Sequence, residues 1–504
     1  MNIKNLLLDL FLLTSLFLVS CSDDDNISDH ENQSVKFNTY SFLHKNNPSL
    51  STNYGFLIDE NKISGRLPYQ ADIKNLVATF THEGSEVQIN NKQQISGVNS
   101  NDFSDVLTYT IIDSKGKSAA NEVDVTYFTG LPIVYIDTKD GVPIDSKEEY
   151  RKGHVHLNGG REFMDMSSLE MKIRGRGNST WWVSDKKPYQ LKFSDKTEFL
   201  EMPKDKKWIF LAEFSDKSLI RNKIAFEMGY LSQLDWTPQS TYAEVIVNNE
   251  YVGTYNISQK VEESNNRVAI GDNGYLLEID QLGRLDPDDV YFKTNKFLIN
   301  IKEPKLEYES SEYKYVKDLL NTFENVLMGD NFTNPEVGYP KYIDVDSFID
   351  WYLINEITKN QDSRDFSSIF LNVVPGEKIK MGPIWDFDLA FGNVNYTECE
   401  HPEGFWVKHH HWYNRLFEDP EFKNKVKERF SYYRNNQSLI IEKIEFFEQK
   451  LQWAQYENDK KWNLFGRYVW PNPVFFNSHK EEVAYLKDWY IKRMDWLEGA
   501  FNTL

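Results

Sequence analysis

A change of hydrophobic period near residue 310 constrains this chain more than any other feature. Before it, apolar residues alternate in short runs, the two-residue period of strands; after it, they recur at the three- and four-residue spacing of helices. Pro132 to Ile136 reads as a strand, and Ser168 to Phe193 alternates strand-like runs with a charged, Gly-rich loop. Ala243, Val245 and Val247 alternate toward Asn248-Asn249. That pair predicts the bend of a hairpin over Tyr242 to Ile257, because Asn tolerates left-handed backbone. Gly274 to Ile279 offers another apolar strand. Past residue 310, Asp346 or Ser347 can cap a helix carrying Ile349, Tyr352, Leu353 and Ile357. Glu481 to Leu497 repeats the pattern with Leu486, Trp489, Tyr490, Met494 and Leu497. A sheet-rich half followed by a helix-rich half predicts an α+β enzyme with a cleft between lobes.

At 504 residues the chain exceeds what one core usually supports, so more than one domain is expected. Residues 1–21 read as a secretion signal: Lys4 precedes an apolar run from Leu6 to Val19 that is too short to span a membrane comfortably. The run ends in Leu18-Val19-Ser20-Cys21, which resembles a bacterial lipoprotein processing site with Cys21 as the lipidated residue. A plain signal peptide cleaved elsewhere is the alternative. Residues 22–35, opening with Asp23-Asp24-Asp25, form a solvated tether similar to that of Bacteroidetes surface lipoproteins. The expected location is therefore the outer membrane or cell surface, with the membrane reached through a lipid on Cys21. The second cysteine is Cys399, so an acylated Cys21 leaves no intrachain disulfide.

Residues 36–130 carry short alternating runs at Leu76 to Phe80, Val87 to Ile89, Val106 to Ile111 and Val123 to Tyr127, punctuated by Gly84, Asp113 and Gly116. This spacing predicts a small antiparallel sandwich, similar to the immunoglobulin-like modules of Bacteroidetes surface proteins. It holds no catalytic cluster, so spacing and presentation are its expected work. Residues 131–504 then form the main domain. A net charge of −20 argues against nucleic acid as a partner, since phosphate neutralisation needs clustered Lys and Arg.

Four segments of the main domain carry polar chemistry. Arg174-Gly175-Arg176-Gly177-Asn178-Ser179-Thr180-Trp181, with Lys186, Lys187 and Lys192 following, could bring backbone N–H groups and cations to an anion; a turn with solvated charges is the plainer alternative. It is not a P-loop, having no G-x-x-x-x-G-K-[ST]. Asn360-Gln361-Asp362 sits at a predicted helix-to-strand connection, where a carboxylate can take a proton from a hydroxyl or simply cap a turn. Lys380 to Asn393 reads K-M-G-P-I-W-D-F-D-L-A-F-G-N. If it is extended, Asp386 and Asp388 point to one face and offer hard oxygen ligands suited to Mg²⁺. Together these three supply what phosphoryl transfer requires. The fourth, Cys399 with His401, His409, His410 and His411, lacks zinc spacing and reads as histidines at a surface or cleft rim.

With these motifs assembled, residues 131 to about 497 resemble the spore-coat CotH family of atypical protein kinases. The resemblance rests on R-G-R-G-N-S-T-W then K-K-P-Y-Q-L-K-F, D-K-S-L-I-R-N-K-I-A-F-E-M-G, N-E-Y-V-G-T-Y-N-I-S-Q-K-V-E, N-Q-D, W-D-F-D-L-A-F-G and R-L-F-E-D-P-E-F, in that order. It implies a kinase-like two-lobed fold, ATP as donor, Mg²⁺ as cofactor and a Ser or Thr hydroxyl of a protein as acceptor. Asp362 would be the catalytic base, Asp386 a metal ligand and Asp388 a second candidate ligand. Lys192 and Arg174 would contact the nucleotide phosphates, with Lys187 and Lys302 as further candidates. Many relatives carry an Asn shortly after the N-x-D aspartate, whereas this chain reads Asp365-Phe366-Ser367-Ser368. Either Asp365 substitutes or metal binding is altered. A non-catalytic adhesion or glycan-binding lipoprotein on the same scaffold is the alternative function.

Overall fold

The computed structural model describes residues 35–504. The expected signal segment, Cys21 and nearly all of the tether lie outside the described residues. The described chain is mixed α+β, with strands dominating before residue 310 and helices after it.

The first unit is a pair of sheets, one of four strands and one of six. Phe37–Phe42 and Leu76–His82 pair antiparallel in the first. Ser118–Tyr127 is central to the second. Inward residues alternate along each strand, as a half-buried sheet requires, and Phe37, Tyr40, Phe80 and Tyr109 meet in the core with ring centroids 5.3 to 6.0 Å apart. The wholly antiparallel sandwich expected from the sequence is corrected at one place. Ser118–Tyr127 runs parallel to Lys62–Leu67, and the intervening chain is long enough for the crossover that a parallel pair demands. This sandwich is fastened to the main domain by side chains. Arg66 donates to Glu457 at 2.9 Å and lies 4.7 Å over the Trp453 ring, while Arg161 donates to Asp124 at 2.7 Å.

Next comes a closed seven-stranded barrel, which the sequence did not announce. Its strands are Ile133–Thr138, Arg151–Asn158, Met166–Gly175, Tyr189–Phe199, Met202–Leu211, Glu250–Gln259 and Ser240–Val247, and it closes where Ile133–Thr138 runs parallel to Ser240–Val247. The Ser240–Val247/Glu250–Gln259 hairpin turns at Asn248 and Asn249 with φ of +50° and +65°. Val134, Ile136, Leu191, Trp208, Phe210 and Tyr255 fill the interior.

A five-stranded sheet is the third, ordered Val290–Lys293, Leu298–Glu303, Tyr275–Asp280, Ile369–Val373, Lys380–Met381. In the helical half, the Val345–Ile357 helix is buried at every residue from Ser347 onward, its buried charges paired, Asp350 with Arg429 and Glu356 with Arg493. Its cap is neither Asp346 nor Ser347: the Asp344 carboxylate accepts the Ser347 N–H at 2.8 Å from an extended backbone. The closing helix His479–Asn502 buries Leu486, Trp489, Tyr490, Met494 and Leu497. Among the described residues no helix is long and apolar enough to cross a membrane.

Candidate active site

The W-D-F-D-L-A-F-G segment leaves the short strand Lys380–Met381 and is held by its backbone from several sides. Asn360 Nδ2 donates to the Asp386 carbonyl at 3.1 Å, the Phe387 N–H donates to Asn222 Oδ1 at 2.7 Å, and Arg221 Nε donates to the Ala390 carbonyl at 3.1 Å. Asn393 Nδ2 reaches the Asp388 carbonyl at 2.8 Å. The extended conformation expected for this stretch is not found, because Asp386 has φ of +66°, a left-handed setting that Asp tolerates better than most residues. Both carboxylates nevertheless reach one cleft. The D-K-S-L-I-R-N-K motif thus positions the W-D-F-D motif: Arg221 and Asn222, buried on the Arg221–Tyr230 helix, supply two of these contacts.

The cleft has a volume of about 540 Å³ and runs between the outer wall of the barrel, the five-stranded sheet and the W-D-F-D segment. Arg174, Lys302, Asp362, Asp386 and Asp388 all line it. Asp362 opens the one-turn helix Asp362–Arg364 directly after the buried helix, and it is 9% exposed. Lys302 Nζ lies 3.3 Å from Glu278. Arg174 stands with its guanidinium 4.9 Å over the Tyr150 ring, its Nε buried without a partner. Lys187 and Lys192 do not line the cleft. Lys187 Nζ donates to the Trp181 and Ser184 carbonyls at 2.8 and 2.7 Å, tying down the short helix Ser179–Val183. Lys192 lies on the outer barrel face between Lys172 and Lys207, two residues beyond Gln190, where the cleft ends.

The glycine loop also differs from expectation in how it offers groups to an anion. The Gly175 and Arg176 N–H groups are already used, donating to the Ser146 and Pro188 carbonyls at 2.7 and 3.1 Å. The glycines serve shape instead. A Cβ at Gly175 would stand 2.2 Å from the Trp181 ring, and Gly177 has φ of +83°. Cationic side chains, Arg174 and Arg176, therefore face the cleft from this loop. The histidine cluster is corrected in part: His410 is fully buried, stacked 4.7 Å from Phe297, and Cys399 is buried too. Among the described residues no three His, Cys, Asp or Glu side chains are grouped to cage a metal.

Residues without a local sequence signal complete the site. Ser368 Oγ donates to Asp386 Oδ2 at 3.4 Å, Ser215 Oγ to Asp388 Oδ2 at 3.3 Å and Ser367 Oγ to Asp362 Oδ2 at 3.5 Å. Arg284 lies 3.8 Å from Asp362 Oδ2.

Burial dominates the electrostatics, and like charges add to it. Burial pushes Asp362 up to about 7, repulsion from Asp386 adds to it, and Arg284 opposes it. Asp388 is raised well above the usual carboxylate range by burial and then by Asp386 and Glu213. Burial pulls Arg176 down, against the attraction of Asp386 and Asp388. Nine carboxyl side chains line the cleft against six Lys and Arg residues, so an added cation would favour a polyphosphate there. Mg²⁺ fits this donor set. Two hard carboxylates with long hydroxyl hydrogen bonds would hold it, and waters and phosphate oxygens would complete its shell.

These shifts predict how stability varies with pH. Asp362 and Glu278 are raised to about 7, Glu244 to about 7 and Glu213 to about 8, each chiefly by burial. A raised carboxyl contributes stability that is full below its unfolded value and is lost as pH climbs through the folded one. Two buried imidazoles, His410 and His479, act in the opposite sense up to their ordinary value of 6.5. Carboxyls outnumber them, so the thermal midpoint in EDTA is expected to fall between about pH 5 and 7. Calorimetry across that range checks this, and a rising midpoint would contradict it.

The sequence model of the family described as CotH kinase protein matches residues 173–497. No curated protein matches the chain. Among solved structures, one from Bacteroides thetaiotaomicron VPI-5482, provisionally described as a glycoside hydrolase, is 13% identical. The match covers 58% of this chain and 88% of that one with a TM-score of 0.16, too low to inform fold or chemistry.

Proposed function

On the premise that this chain belongs to the CotH family, described as CotH kinase protein, we propose that it transfers phosphate from ATP to a Ser or Thr hydroxyl of a protein acceptor. One observation carries the proposal: Asp362, Asp386 and Asp388 share a cleft with Arg174, Arg176 and Lys302. In this reading the barrel with its glycine loop serves as one lobe, and the sheet and helices around Asp362 as the other, as in a kinase. Arg174 and Arg176 hold phosphate oxygens. Asp386 and Asp388 would hold Mg²⁺, which would supply charge neutralisation at the transferring phosphate. Asp362 accepts the acceptor's hydroxyl proton as that oxygen bonds to the terminal phosphorus and the bond to the ADP oxygen breaks.

In the same proposal the protein is exported and anchored at the outer membrane or cell surface through a lipid on Cys21. The immunoglobulin-like sandwich then lies between anchor and cleft. A non-catalytic binding protein is favoured by one feature, the half-exposed Trp470, which lines the cleft and stacks on the half-exposed Tyr396 with ring centroids 5.9 Å apart. Such amphipathic rings suit glycan or protein recognition.

Thermal shift with nucleotide tests the proposal. ATP at about 100 times its Kd is expected to add about 2.7 kcal/mol of stability when Mg²⁺ is present, and Asp386→Ala to remove the Mg²⁺-dependent part. No shift with ATP under either condition would contradict phosphate transfer and leave the binding protein.

A further inference from the structure

The loop after Tyr275–Asp280 crosses to the turn carrying Asp362 and is fastened there at several points. Gln281 Nε2 donates to the Asp365 carbonyl at 3.4 Å. Arg284 Nη1 donates to Ser367 Oγ at 2.6 Å and lies 3.8 Å from Asp362 Oδ2, while its guanidinium covers the Phe366 ring at 4.9 Å. Ser367 Oγ itself reaches Asp362 Oδ2. A serine hydroxyl has one proton, so accepting from Arg284 leaves it free to donate to the carboxylate. Arg284 and Ser367 therefore act on the same oxygen of Asp362.

We propose that Arg284 is a positioning residue for Asp362, fixing Oδ2 through Ser367 and by its charge so that the other carboxylate oxygen is presented to the acceptor hydroxyl. The last clause rests on the phosphate-transfer function above; the fixing of Asp362 does not. Other groups facing Asp362 include the carboxylates of Asp280 and Asp386, from the sheet strand and the W-D-F-D segment, and Tyr396. Without a cation here the Asp362 carboxylate would turn from its neighbours or keep a proton, and neither form takes a proton from an acceptor. A planar guanidinium suits the place better than an ammonium, because it can donate to Ser367 and lie flat on Phe366 together.

The test uses the full chain with Arg284→Met, Arg284→Lys and Arg284→Ala. Arg284→Met keeps the contact with Phe366 and is expected to lower kcat for transfer about 10²-fold, the cost of a misplaced group, with KM for ATP unchanged. Arg284→Lys should recover part of the loss, and added methylguanidinium should recover part of it in Arg284→Ala. Hydrogen exchange gives a readout independent of turnover. The Phe366 and Ser367 N–H groups both donate to the Asp362 carbonyl, at 3.0 and 3.4 Å, and should exchange faster in Arg284→Met while the Val345–Ile357 helix is unchanged. Transfer equal to wild type, or a loss shared with ATP binding and global stability, would overturn the proposal. If the wild type transfers no phosphate, the function above fails and exchange alone decides. Acceleration confined to the Asp362 turn upholds the positioning, and unchanged exchange overturns it.

Discussion

Asp362→Asn is expected to lower phosphate transfer by two to four orders of magnitude, the usual contribution of a general base, while ATP binding is retained. Asn matches Asp in size and still accepts a hydrogen bond from Ser367, but it cannot take a proton. Its effect should therefore fall on kcat. Burial and the Asp386 charge hold Asp362 up to about 7. Wild-type kcat should accordingly climb as pH rises through about 7, since the base must be ionised, and this limb should vanish in Asp362→Asn. The substitution also removes a carboxyl that folding buries at some expense, so the thermal midpoint above pH 7 should rise. Steady-state kinetics and calorimetry on one preparation check all three. A loss of less than about tenfold would remove Asp362 from the base position.

The second large effect is on stability. Arg221 and Asp216 are both essentially unexposed, 1% and 0%, and form an ion pair. Asp216 also accepts from the Ser218 and Arg221 N–H groups at 3.0 and 2.8 Å. Arg221→Met strands that carboxylate and frees the Ala390 carbonyl, and is expected to cost about 3–5 kcal/mol in chemical denaturation. Replacing both partners, as Arg221→Met with Asp216→Leu, should recover much of it, because breaking a buried pair is worse than removing it. The contact to Ala390 adds a local signature: the W-D-F-D segment should loosen before the barrel does. A loss below about 1 kcal/mol would mean that water reaches Asp216.

The legible parts of this molecule are those written in local pattern. The strand-to-helix change near residue 310, the hairpin at Asn248-Asn249 and the apolar face of the last helix come from period and turn chemistry. Barrel closure was not legible, because it depends on Ile133–Thr138 meeting Ser240–Val247 about a hundred residues later, and no local pattern encodes that pairing. Among site residues, Asp362, Asp386, Asp388, Arg174 and Lys302 stood out as charges near motifs, and the fold brings them to one cleft. Lys187 and Lys192 stood out in the same way and lie elsewhere: Lys192 shares the outer face with Gln190 but lies one step further along the strand, past the end of the cleft, and a flanking turn spends Lys187 on carbonyls. Arg284 carried no signal at all. Its partners, Ser367 and Phe366, lie more than eighty residues away.

Transfer of labelled phosphate tests the central claim most directly. The full chain is incubated with ATP labelled at the terminal phosphate, Mg²⁺ and a Ser-rich protein acceptor, and phosphoserine is read by mass spectrometry. Label is expected on the acceptor with wild type and at background with Asp362→Asn and Asp386→Ala. Label at wild-type level in both variants, or none in a wild type that does not bind ATP, would contradict it.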